Sequence, residues 1–379
     1  MNFTLTKEQQ LVQQMVREFA ENDVKPLAAE IDETERFPME TVKKMAKYGM
    51  MGIPFSKEYG GAGGDNLSYV IVVEELSKVC GTTGVIVSAH TSLCAYPIEH
   101  FGTSAQKEKY LPPLLKGEKL GAFGLTEPNA GTDAAGQQTV AVLNGDHYVI
   151  NGSKIFITNG GAADTFVIFA MTDRSKGTKG ITAFIVEKGF EGFSIGKVED
   201  KLGIRGSSTT ELIFEDMKVP VENMLGKEGK GFGIAMNTLD GGRIGIAAQA
   251  LGIAEGAFNE AKAYMKERKQ FGRSLDKFQG LQWMMADMDV AIESAKYLVY
   301  KAACLKDQGF PYSVEAARAK LHAANVAMDV TTKAVQIFGG YGYTKDYPVE
   351  RMMRDAKITE IYEGTSQVQK MVIAGNIFR

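Results

Sequence analysis

The sequence is poor in the side chains from which metal centres and disulfide frameworks are built. Its three cysteines are widely spaced and form no C-x-x-C pair: Cys80, Cys94 and Cys304. An odd, dispersed set of this kind indicates buried free thiols rather than a disulfide framework or a zinc site. The four histidines are scattered as well, and no two have the spacing that puts two metal ligands on one helix face. We therefore expect no metal ion in the functional site.

The usual nucleotide-binding and protease motifs are missing. The chain contains no complete G-x-G-x-x-G, P-loop or H-E-x-x-H pattern, which argues against a Rossmann dinucleotide site, a P-loop nucleotidase and a zinc protease. Residues 192–196 do match the G-x-S-x-G elbow of hydrolases. Such an elbow passes from a strand into a helix, whereas residues 197–203 carry no helical pattern. We therefore reject a hydrolase.

The chain also lacks an excess of charge of one sign and any long apolar run. Its 43 basic and 46 acidic residues give a net charge of -3, so it has no overall positive field to attract nucleic acid or anionic lipid. The apolar stretch at 244–258 is interrupted by Gln249 and Glu255 and is too short to cross a bilayer. The chain opens into a polar helix without the basic and apolar regions of a signal peptide. We expect a cytoplasmic protein that binds neither nucleic acid nor membrane.

The chain is longer than one hydrophobic core usually supports, and its sequence pattern changes twice. A capping box at residues 6–9 starts the first helix, and further helical patterns lie at 40–48, 67–79 and 105–115. Long helical patterns return later, at 234–269, 275–308, 314–338 and 348–374. We predict an α+β protein with an N-terminal helical domain at 1–120, a middle antiparallel β domain at 121–230 and a C-terminal four-helix domain at 231–379.

Short runs rich in β-branched and aromatic residues are confined to the middle of the chain. They lie at 139–143, 147–150, 165–170, 181–186 and 211–214. Asn144, Gly145 and Asp146 link the first two runs and supply the positive backbone torsions of a tight hairpin. The order of helices, strands and helices indicates segregated layers, without βαβ units.

Three segments contain candidate functional residues, and each also has an ordinary structural explanation. Glu363 lies where the fourth long helical pattern is interrupted, either as a catalytic carboxylate or as part of a plain turn between two helices. The loop at 125–133 is dense in small residues and hydroxyls, and it is either a cradle of backbone N–H groups or a surface turn. Arg268, close to Phe271, offers a forked donor and an aromatic face to a phosphate and a base, or is a charged helix end.

Taken together, these segments resemble the acyl-CoA dehydrogenase family over essentially the whole chain and in the same order. Residues 124–136, with the sequence GLTEPNAGTDAAG, are similar to the first signature of that family. Residues 336–343, QIFGGYGY, followed by Asp346, Arg351 and Asp355, are similar to the second. The likeness is strongest to the short-chain, butyryl-CoA members. It implies their three-domain fold, with FAD bound where the domains meet.

The resemblance assigns FAD contacts to two sets of residues. The flavin end would be lined by Phe123, Leu125, Thr126, Gly131, Thr132, Phe156, Ile157 and Thr158, and FAD would also be bound by Thr365 and Gln367, after the Glu363 turn. The pyrophosphate and adenine of a neighbouring subunit's FAD would be reached by Arg268, Phe271 and Gln279, and FAD would also contact Gln336, Gly339 and Gly340. A cofactor shared between subunits implies a homotetramer built as a dimer of dimers.

For the substrate, the resemblance points to the helix segment 240–243, DGGR, in which Asp240 and Arg243 would contact the CoA moiety. Tyr362 and Gly364 would lie beside the acyl group, and Thr132 near the thioester. Some relatives carry their catalytic base near the position of Gly242, which has no carboxylate here. The resemblance therefore assigns the base to Glu363.

The implied reaction is FAD-dependent dehydrogenation of a short-chain acyl-CoA, such as butyryl-CoA, to the trans-2-enoyl-CoA, crotonyl-CoA, or the reverse reduction. Glu363 would take the proton next to the thioester carbonyl while FAD takes the neighbouring hydride, and electrons would be exchanged with electron-transfer flavoprotein. Exclusion of water by the substrate would raise the proton affinity of the carboxylate. Two alternatives stay open: an acyl-CoA oxidase that passes electrons to oxygen, and a flavin- or CoA-binding protein without catalysis.

Overall fold

The structure, a computed structural model, describes residues 4–378. Residues 1–3, which belong to the opening segment considered for a signal peptide, and residue 379 lie outside the described residues. The first part of the chain is helical, with α1 (Lys7–Phe19), α2 (Ala28–Thr34), α3 (Met39–Lys47), α4 (Asn66–Ser77), α5 (Gly81–Ser88), α6 (Tyr96–Phe101) and α7 (Ser104–Leu115). The predicted capping box is confirmed, because Thr6 and Gln9 exchange side-chain to backbone hydrogen bonds at the start of α1.

The stretch between the predicted helices at 67–79 and 105–115 is helical as well. It contains α5, a π-helical segment at Ala89–Ala95 and α6. Nearly every residue from 81 to 98 is buried, so no polar face alternates with an apolar one and periodicity gives no signal. π-helical turns are rare and are frequently found at functional sites.

The middle of the chain forms an eight-stranded sheet. Its strands are β1 (Gly121–Gly124), β2 (Val140–Asn144), β3 (His147–Ile157), β4 (Thr165–Met171), β5 (Ile181–Glu187), β6 (Phe193–Val198), β7 (Thr210–Pro220) and β8 (Met224–Leu225). They follow the order β6-β7-β3-β2-β4-β5-β8, with β1 beside β4. The predicted hairpin joins β2 to β3, where Gly145 has a φ of 66° and Asn144 pairs with His147.

Most neighbouring strands of this sheet are antiparallel, as expected, but β1 pairs in parallel with β4, and β2 touches β4 in parallel at Val140. The purely antiparallel expectation needs this correction. Residues 125–164 join β1 to β4, which is long enough for the crossover that parallel strands require. The segment that matches the hydrolase elbow lies at β6, which pairs with β7 rather than leading into a helix.

Long helices return after the sheet: α8 (Gly231–Glu267), α9 (Gln279–Asp307), α10 (Ser313–Phe338), α11 (Val349–Ile358) and α12 (Ser366–Ile377). A short hairpin of β9 (Lys269–Gln270) and β10 (Arg273–Ser274) connects α8 to α9. The fourth predicted helix is not continuous. It breaks between α11 and α12 because Glu363 and Gly364 have φ values of 51° and 90°, which a right-handed helix cannot contain.

Helix α8 forms the centre of the largest hydrophobic core and packs against α4 and α10. A side chain at Gly252 would overlap the carbonyl oxygen of Glu74, and one at Gly256 would overlap that of Lys78. The two glycines therefore let α4 and α8 approach backbone to backbone. This burial explains the apolar stretch at 244–258 as a core helix, and among residues 4–378 no helix is long and apolar enough to cross a membrane.

Residues that follow the second signature motif fasten the helices to the sheet. The Asp355 carboxylate accepts a hydrogen bond from the backbone N–H of Ile204 at 2.5 Å, and burial raises the pKa of Asp355 to about 6. Arg354 forms an ion pair with Asp32 at 2.6 Å and donates to the carbonyl oxygen of Leu202 at 2.9 Å. The loop between β6 and β7 is thus held against both helical regions.

Candidate active site

Glu363 lies on the turn between α11 and α12, and its backbone is left-handed. A residue with a Cβ in this region costs about 1–2 kcal/mol relative to the right-handed one, so surrounding contacts must hold the turn. The Ser366 N–H donates to the carbonyl oxygen of Glu360 at 2.9 Å. From α12, Gln369 donates to the carbonyl oxygens of Glu363 and Gly364 at 3.3 and 2.8 Å. The turn is therefore closed from both sides.

The carboxyl group of Glu363 has no partner in the described part of the chain. Its Oε2 is inaccessible to solvent and makes no hydrogen bond, although other atoms leave the residue partly exposed. Burial raises the pKa of Glu363 to about 8, against the opposing charges of Lys320 and Arg243. A buried, unsatisfied carboxyl group that titrates near neutral pH has the properties of a general base awaiting a substrate.

Small and apolar groups surround this carboxyl group. A side chain at Gly242 of α8 would overlap Oε2 of Glu363, and its Cβ would lie 2.8 Å from Leu93 Cδ2. Leu93 belongs to the π-helical segment, which the sequence pattern did not predict. An apolar wall of this kind suits an acyl chain, because it excludes water from the reacting carbon atoms.

The predicted substrate residues Asp240 and Arg243 lie beside this wall. Arg243 is buried and pairs with Asp240 at 2.6 Å, and Ser313 donates to the same carboxylate at 2.9 Å. The Arg243 Nε is buried without a hydrogen-bond partner in the described residues. These side chains line a cleft of about 580 Å³ between α8, α10 and α12. The cleft can take a polar ligand, and Gly242, which faces Glu363, is the neighbour of Arg243 in α8.

Tyr362 is fixed by a chain of hydrogen bonds. Its hydroxyl donates to the side-chain oxygen of Gln249, and Gln249 donates to the carbonyl oxygen of Gly81 at 2.9 Å. Its ring packs against a small core that contains Val85 and Ile204. Tyr362 thereby anchors the N-terminal side of the Glu363 turn to α5, α8 and the loop between β6 and β7. Sequence reasoning named Tyr362 as a site residue but Gln249 only as an interruption of an apolar stretch, and that polarity within an apolar helix was the available signal.

The predicted flavin loop is shaped by a buried ion pair that sequence reasoning did not identify. Glu127 and Lys154 lie 2.7 Å apart, almost without exposed surface. Glu127 also accepts from the N–H groups of Gln138 and Thr139, and Lys154 donates to the carbonyl oxygen of Leu125 at 3.3 Å. The loop after β1 is therefore held in one conformation. The signal for it was a lysine directly before the apolar end of β3 at residues 155–157.

The structure brings the loop and the end of β3 together. The Ile155 N–H donates to the carbonyl oxygen of Thr126 at 2.9 Å, and Phe123 packs against Phe169 with ring centres 5.1 Å apart. Phe156 has a φ of 58° and keeps 58% of its surface exposed. Other predicted flavin contacts range from the buried to the exposed: Leu125, Gly131, Thr132, Ile157 and Thr158. An exposed aromatic ring beside hydroxyls and backbone donors suits a planar heteroaromatic ligand.

Thr365 and Gln367 lie immediately after the Glu363 turn. Thr365 caps α12, because its Oγ1 accepts a hydrogen bond from the Val368 N–H at 3.2 Å. Gln367 is exposed in the first turn of that helix. The N-terminus of α12 offers N–H groups to a polar ligand near the base.

The second predicted set lies around the hairpin and the C-terminus of α10. The Arg268 guanidinium stands over the Tyr341 ring at 5.4 Å, and Phe271, with a φ of 51°, is 93% exposed. An added Cβ at Gly339 or Gly340 would meet nothing within 4 Å. Gln336 lies in the last turn of α10 and Gln279 in the first turn of α9. A forked cation, an exposed aromatic ring and open glycines can receive a phosphate and a base.

The second set of predicted cofactor residues lies far from Glu363 along both α8 and α10. Gly242, which faces Glu363, and Arg268 are separated by 26 residues of α8, or about 39 Å at a rise of 1.5 Å per residue. Lys320, which binds the turn after Glu363, precedes Gln336 by 16 residues of α10, or about 24 Å. The second set therefore lies far from the Glu363 turn of its own chain.

Three family models match the chain. They describe the N-terminal domain of acyl-CoA dehydrogenase at residues 6–118, its middle domain at 122–217 and its C-terminal domain at 229–378. Together they cover most of the sequence, in the order found in the structure.

Individual proteins are similar over the full length. A short-chain specific acyl-CoA dehydrogenase of Clostridium acetobutylicum is 85% identical over 379 residues, covering 100% of both chains. The solved butyryl-CoA dehydrogenase of Megasphaera elsdenii superimposes with a TM-score of 0.99 at 58% identity, again over 100% of both chains. A chain solved in work on the electron transferring flavoprotein of Acidaminococcus fermentans and flavin-based electron bifurcation gives a TM-score of 0.99 at 61% identity, over 100% of both chains.

Proposed function

The chain belongs to the acyl-CoA dehydrogenase family, and from this premise we propose that it interconverts short-chain acyl-CoA and trans-2-enoyl-CoA, with butyryl-CoA and crotonyl-CoA as the pair. The observation that carries the proposal is the buried carboxyl group of Glu363, which has no hydrogen-bond partner in the described residues and faces Gly242, the neighbour of Arg243 in α8. The 85% identity to a short-chain specific relative supports a substrate with a short acyl group.

Each site residue then has a defined task. Glu363 removes the proton from the carbon next to the thioester carbonyl, since its pKa near 8 gives it the proton affinity that a weak carbon acid requires. Asp240 and Arg243 bind the CoA moiety in the cleft, and Tyr362 and Gly364 lie beside the acyl group. Thr132 would lie near the thioester, and the backbone N–H of Glu363 would donate to the thioester oxygen and stabilise the developing enolate.

We propose that the cofactor is FAD, which would supply the hydride acceptor when bound. Two parts of the chain have side chains suited to binding FAD. Exposed Phe156 and Thr126 of the flavin loop region offer a planar face and a hydroxyl, and the capped start of α12 offers N–H groups next to Glu363. Arg268 and Phe271, on the hairpin about 39 Å away along α8, offer a phosphate donor and a stacking ring to the FAD of a second copy.

Sharing of the cofactor makes the oligomer part of the function, and we propose a homotetramer built as a dimer of dimers. Helix α9 supports this proposal. Trp283 and Val290, seven residues apart on one face, are 62% and 69% exposed, and apolar residues at this spacing form a stripe suited to packing against another helix.

We propose electron-transfer flavoprotein as the redox partner, in either reaction direction. The similarity to a chain solved in work on such a flavoprotein supports this choice over an oxidase. A non-catalytic flavin- or CoA-binding protein would have no need for a carboxyl group buried without a partner, because such a group costs stability.

We also propose domain boundaries near residues 120 and 230, which the matched ranges 6–118, 122–217 and 229–378 support. For the compartment we propose the cytoplasm. The three cysteines are all free, and Cys80 and Cys94 are buried, as is usual where thiols stay reduced.

The test is the anaerobic visible spectrum of the purified protein before and after butyryl-CoA, with palmitoyl-CoA as the comparison. We expect a flavin spectrum that bleaches preferentially with butyryl-CoA, together with little peroxide formation in air. A protein that stays colourless after reconstitution with FAD would contradict the proposal. Bleaching with palmitoyl-CoA alone would keep the chemistry but overturn the substrate, and rapid peroxide formation would indicate an oxidase.

A further inference from the structure

Lys320 on α10 has no exposed surface, and the hydrogen bond found for its ammonium group goes to the turn that carries the base. The Nζ donates to the carbonyl oxygen of Gly364 at 2.7 Å. The same oxygen accepts from the side chain of Gln369 at 2.8 Å. A carbonyl group one residue beyond Glu363 is thus clamped between α10 and α12.

A lysine in this position is costly to keep. Its ammonium group can donate three hydrogen bonds, and burial lowers the pKa of Lys320 to about 8, with the charge of Glu363 opposing the change. No ion pair of Lys320 is found within residues 4–378. An apolar side chain would fill the same space at a lower cost in desolvation, so packing alone does not account for a lysine here.

Resting on the proposed function, we propose that Lys320 is a positioning residue of the reaction: it holds the left-handed turn through the Gly364 carbonyl oxygen and supplies a buried positive charge to the Glu363 carboxylate. The left-handed backbone at Glu363 and Gly364 makes such a clamp necessary. The charge makes lysine, rather than a neutral donor, the suitable residue.

The other charged and titratable groups around Glu363 have partners or are neutral. On α8, Arg243 also acts on Glu363 but is paired with Asp240 at 2.6 Å. On α4, Tyr69 contacts Ser88 and has a raised pKa. Beside Glu363 in sequence, Tyr362 also has a raised pKa, and Glu360 binds Lys357 at 2.6 Å. Lys320 is therefore the cation whose removal changes the field at Glu363 most directly.

Loss of this charge has a predictable sign. A positive charge favours the carboxylate, so its removal raises the pKa of Glu363 further and leaves less of the base deprotonated at pH 7. A rise of one pKa unit corresponds to about a tenfold lower fraction of carboxylate below the pKa. The rising limb of the pH profile should therefore move to higher pH by about as many pH units as the pKa of Glu363 rises.

The experiment compares Lys320→Met with Lys333→Met, a control on the same helix whose lysine pairs with Asp329 and not with the turn. The first readout is hydrogen exchange of peptides that span residues 359–368, measured by mass spectrometry. The second is the pH profile of anaerobic flavin bleaching by butyryl-CoA. We expect Lys320→Met to exchange faster in this peptide and to bleach at least about tenfold more slowly at pH 7, with the limb shifted upward. The control should match the parent protein in both.

Two further variants separate the clamp from the charge. Lys320→Arg should restore the position of the pH limb, because the charge is kept. Gln369→Leu should speed exchange in the 359–368 peptide without moving the limb, because no charge is lost. If Lys320→Met does not fold, Lys320→Gln replaces it, since its amide can still donate to Gly364 but is neutral; the limb must shift for this variant too.

Unchanged exchange and an unmoved limb in Lys320→Met would overturn the proposal. Loss of thermal stability with an unmoved limb would overturn it as well, since it would indicate a purely structural lysine. Failure of the parent protein to bleach with any acyl-CoA would instead refute the proposed function. The exchange readout would then still show whether Lys320 holds the turn.

Discussion

Gly242 of α8 faces the carboxyl group of Glu363 so closely that a side chain at position 242 would take the place of Oε2. The resemblance stated from the sequence puts the base of some relatives near Gly242 and that of others at Glu363. In this chain the two positions converge on one point in space, reached from a helix in one case and from a turn in the other. The absence of a side chain at 242 is thus a condition for the base at 363.

We predict that Gly242→Ala displaces the Glu363 carboxyl group and lowers the bleaching rate with butyryl-CoA by at least about tenfold, since a misplaced base loses most of its effect. FAD should stay bound, because Gly242 lies on the substrate side of the site. Gly233→Ala, in the first turn of the same helix where a Cβ meets nothing within 4 Å, is the matched control and should behave like the parent protein. Equal rates in the two variants would show that the contact is unimportant.

Glu363→Gln should give a yellow, folded oligomer with a dehydrogenation rate at least about 100-fold lower, because general-base catalysis contributes about 10²–10⁴-fold and glutamine keeps the shape without the basicity. Stopped-flow bleaching and the FAD-to-protein ratio measure both effects. Substantial residual activity would assign the base to another residue.

Glu363→Gln should also change how stability depends on pH. In the folded protein the raised pKa lets Glu363 keep its proton up to about pH 8. In the unfolded chain, at its ordinary pKa, Glu363 loses the proton at about pH 4.5. Folding therefore binds a proton between these values, and the contribution of Glu363 to the free energy of unfolding falls as pH rises through this window. The variant should gain stability over the parent between pH 5 and 8, by an amount of the order of a few kcal/mol, and the gain should level off above. Urea unfolding across this range measures it, and a constant difference would contradict the raised pKa.

Arg268→Ala should weaken FAD retention and subunit assembly together, because the guanidinium lies at the hairpin proposed to reach a neighbouring FAD. Loss of a charged donor to phosphate costs about 1.5–3 kcal/mol, or roughly 10- to 100-fold in affinity. FAD titration and analytical ultracentrifugation measure the two effects. Lys262→Ala, an exposed lysine near the end of the same helix, controls for loss of charge. Unchanged FAD affinity in Arg268→Ala would remove the cross-subunit contact.

Lys154→Met should destabilise the flavin loop, because it leaves the Glu127 carboxylate buried without its cation. Breaking a buried pair from one side costs about 3–5 kcal/mol, and FAD affinity should fall as the loop loosens. The double variant Glu127→Gln/Lys154→Met removes both charges and should recover part of the stability. Equal losses in the single and double variants would show that the pair is not coupled.

The sequence alone predicts much of this fold where elements carry a clear pattern. The capping box at Thr6, the hairpin at Gly145 and the long helices α8, α9 and α10 follow from local chemistry and periodicity. The stretch from α5 to α6 does not, because its residues are buried on all sides and burial on every face erases the helical period. Parallel pairing of β1 with β4 depends on contacts between distant segments, which local patterns do not contain.

The residues of the candidate site also divide into those that the sequence marks and those that it does not. Glu363 is marked in the sequence by an interrupted helix, and the family resemblance gives it a role. Lys320 and Gln369 are not marked, because each lies within a regular helix and gains its meaning only when α10 and α12 bring it to the Gly364 carbonyl oxygen. The Glu127–Lys154 pair likewise joins residues 27 positions apart.

Under the proposed function, helix α8 connects two reaction centres that belong to different subunits. Near one end it carries Asp240 and Gly242, which would serve the centre of its own chain, and its other end leads into Arg268, which is proposed to reach a partner's cofactor. Deletion of a single residue between them would rotate Arg268 by about 100° around the helix axis and draw it back by about 1.5 Å. If FAD is shared as proposed, an insertion or deletion within these 26 residues would therefore misalign the two sites.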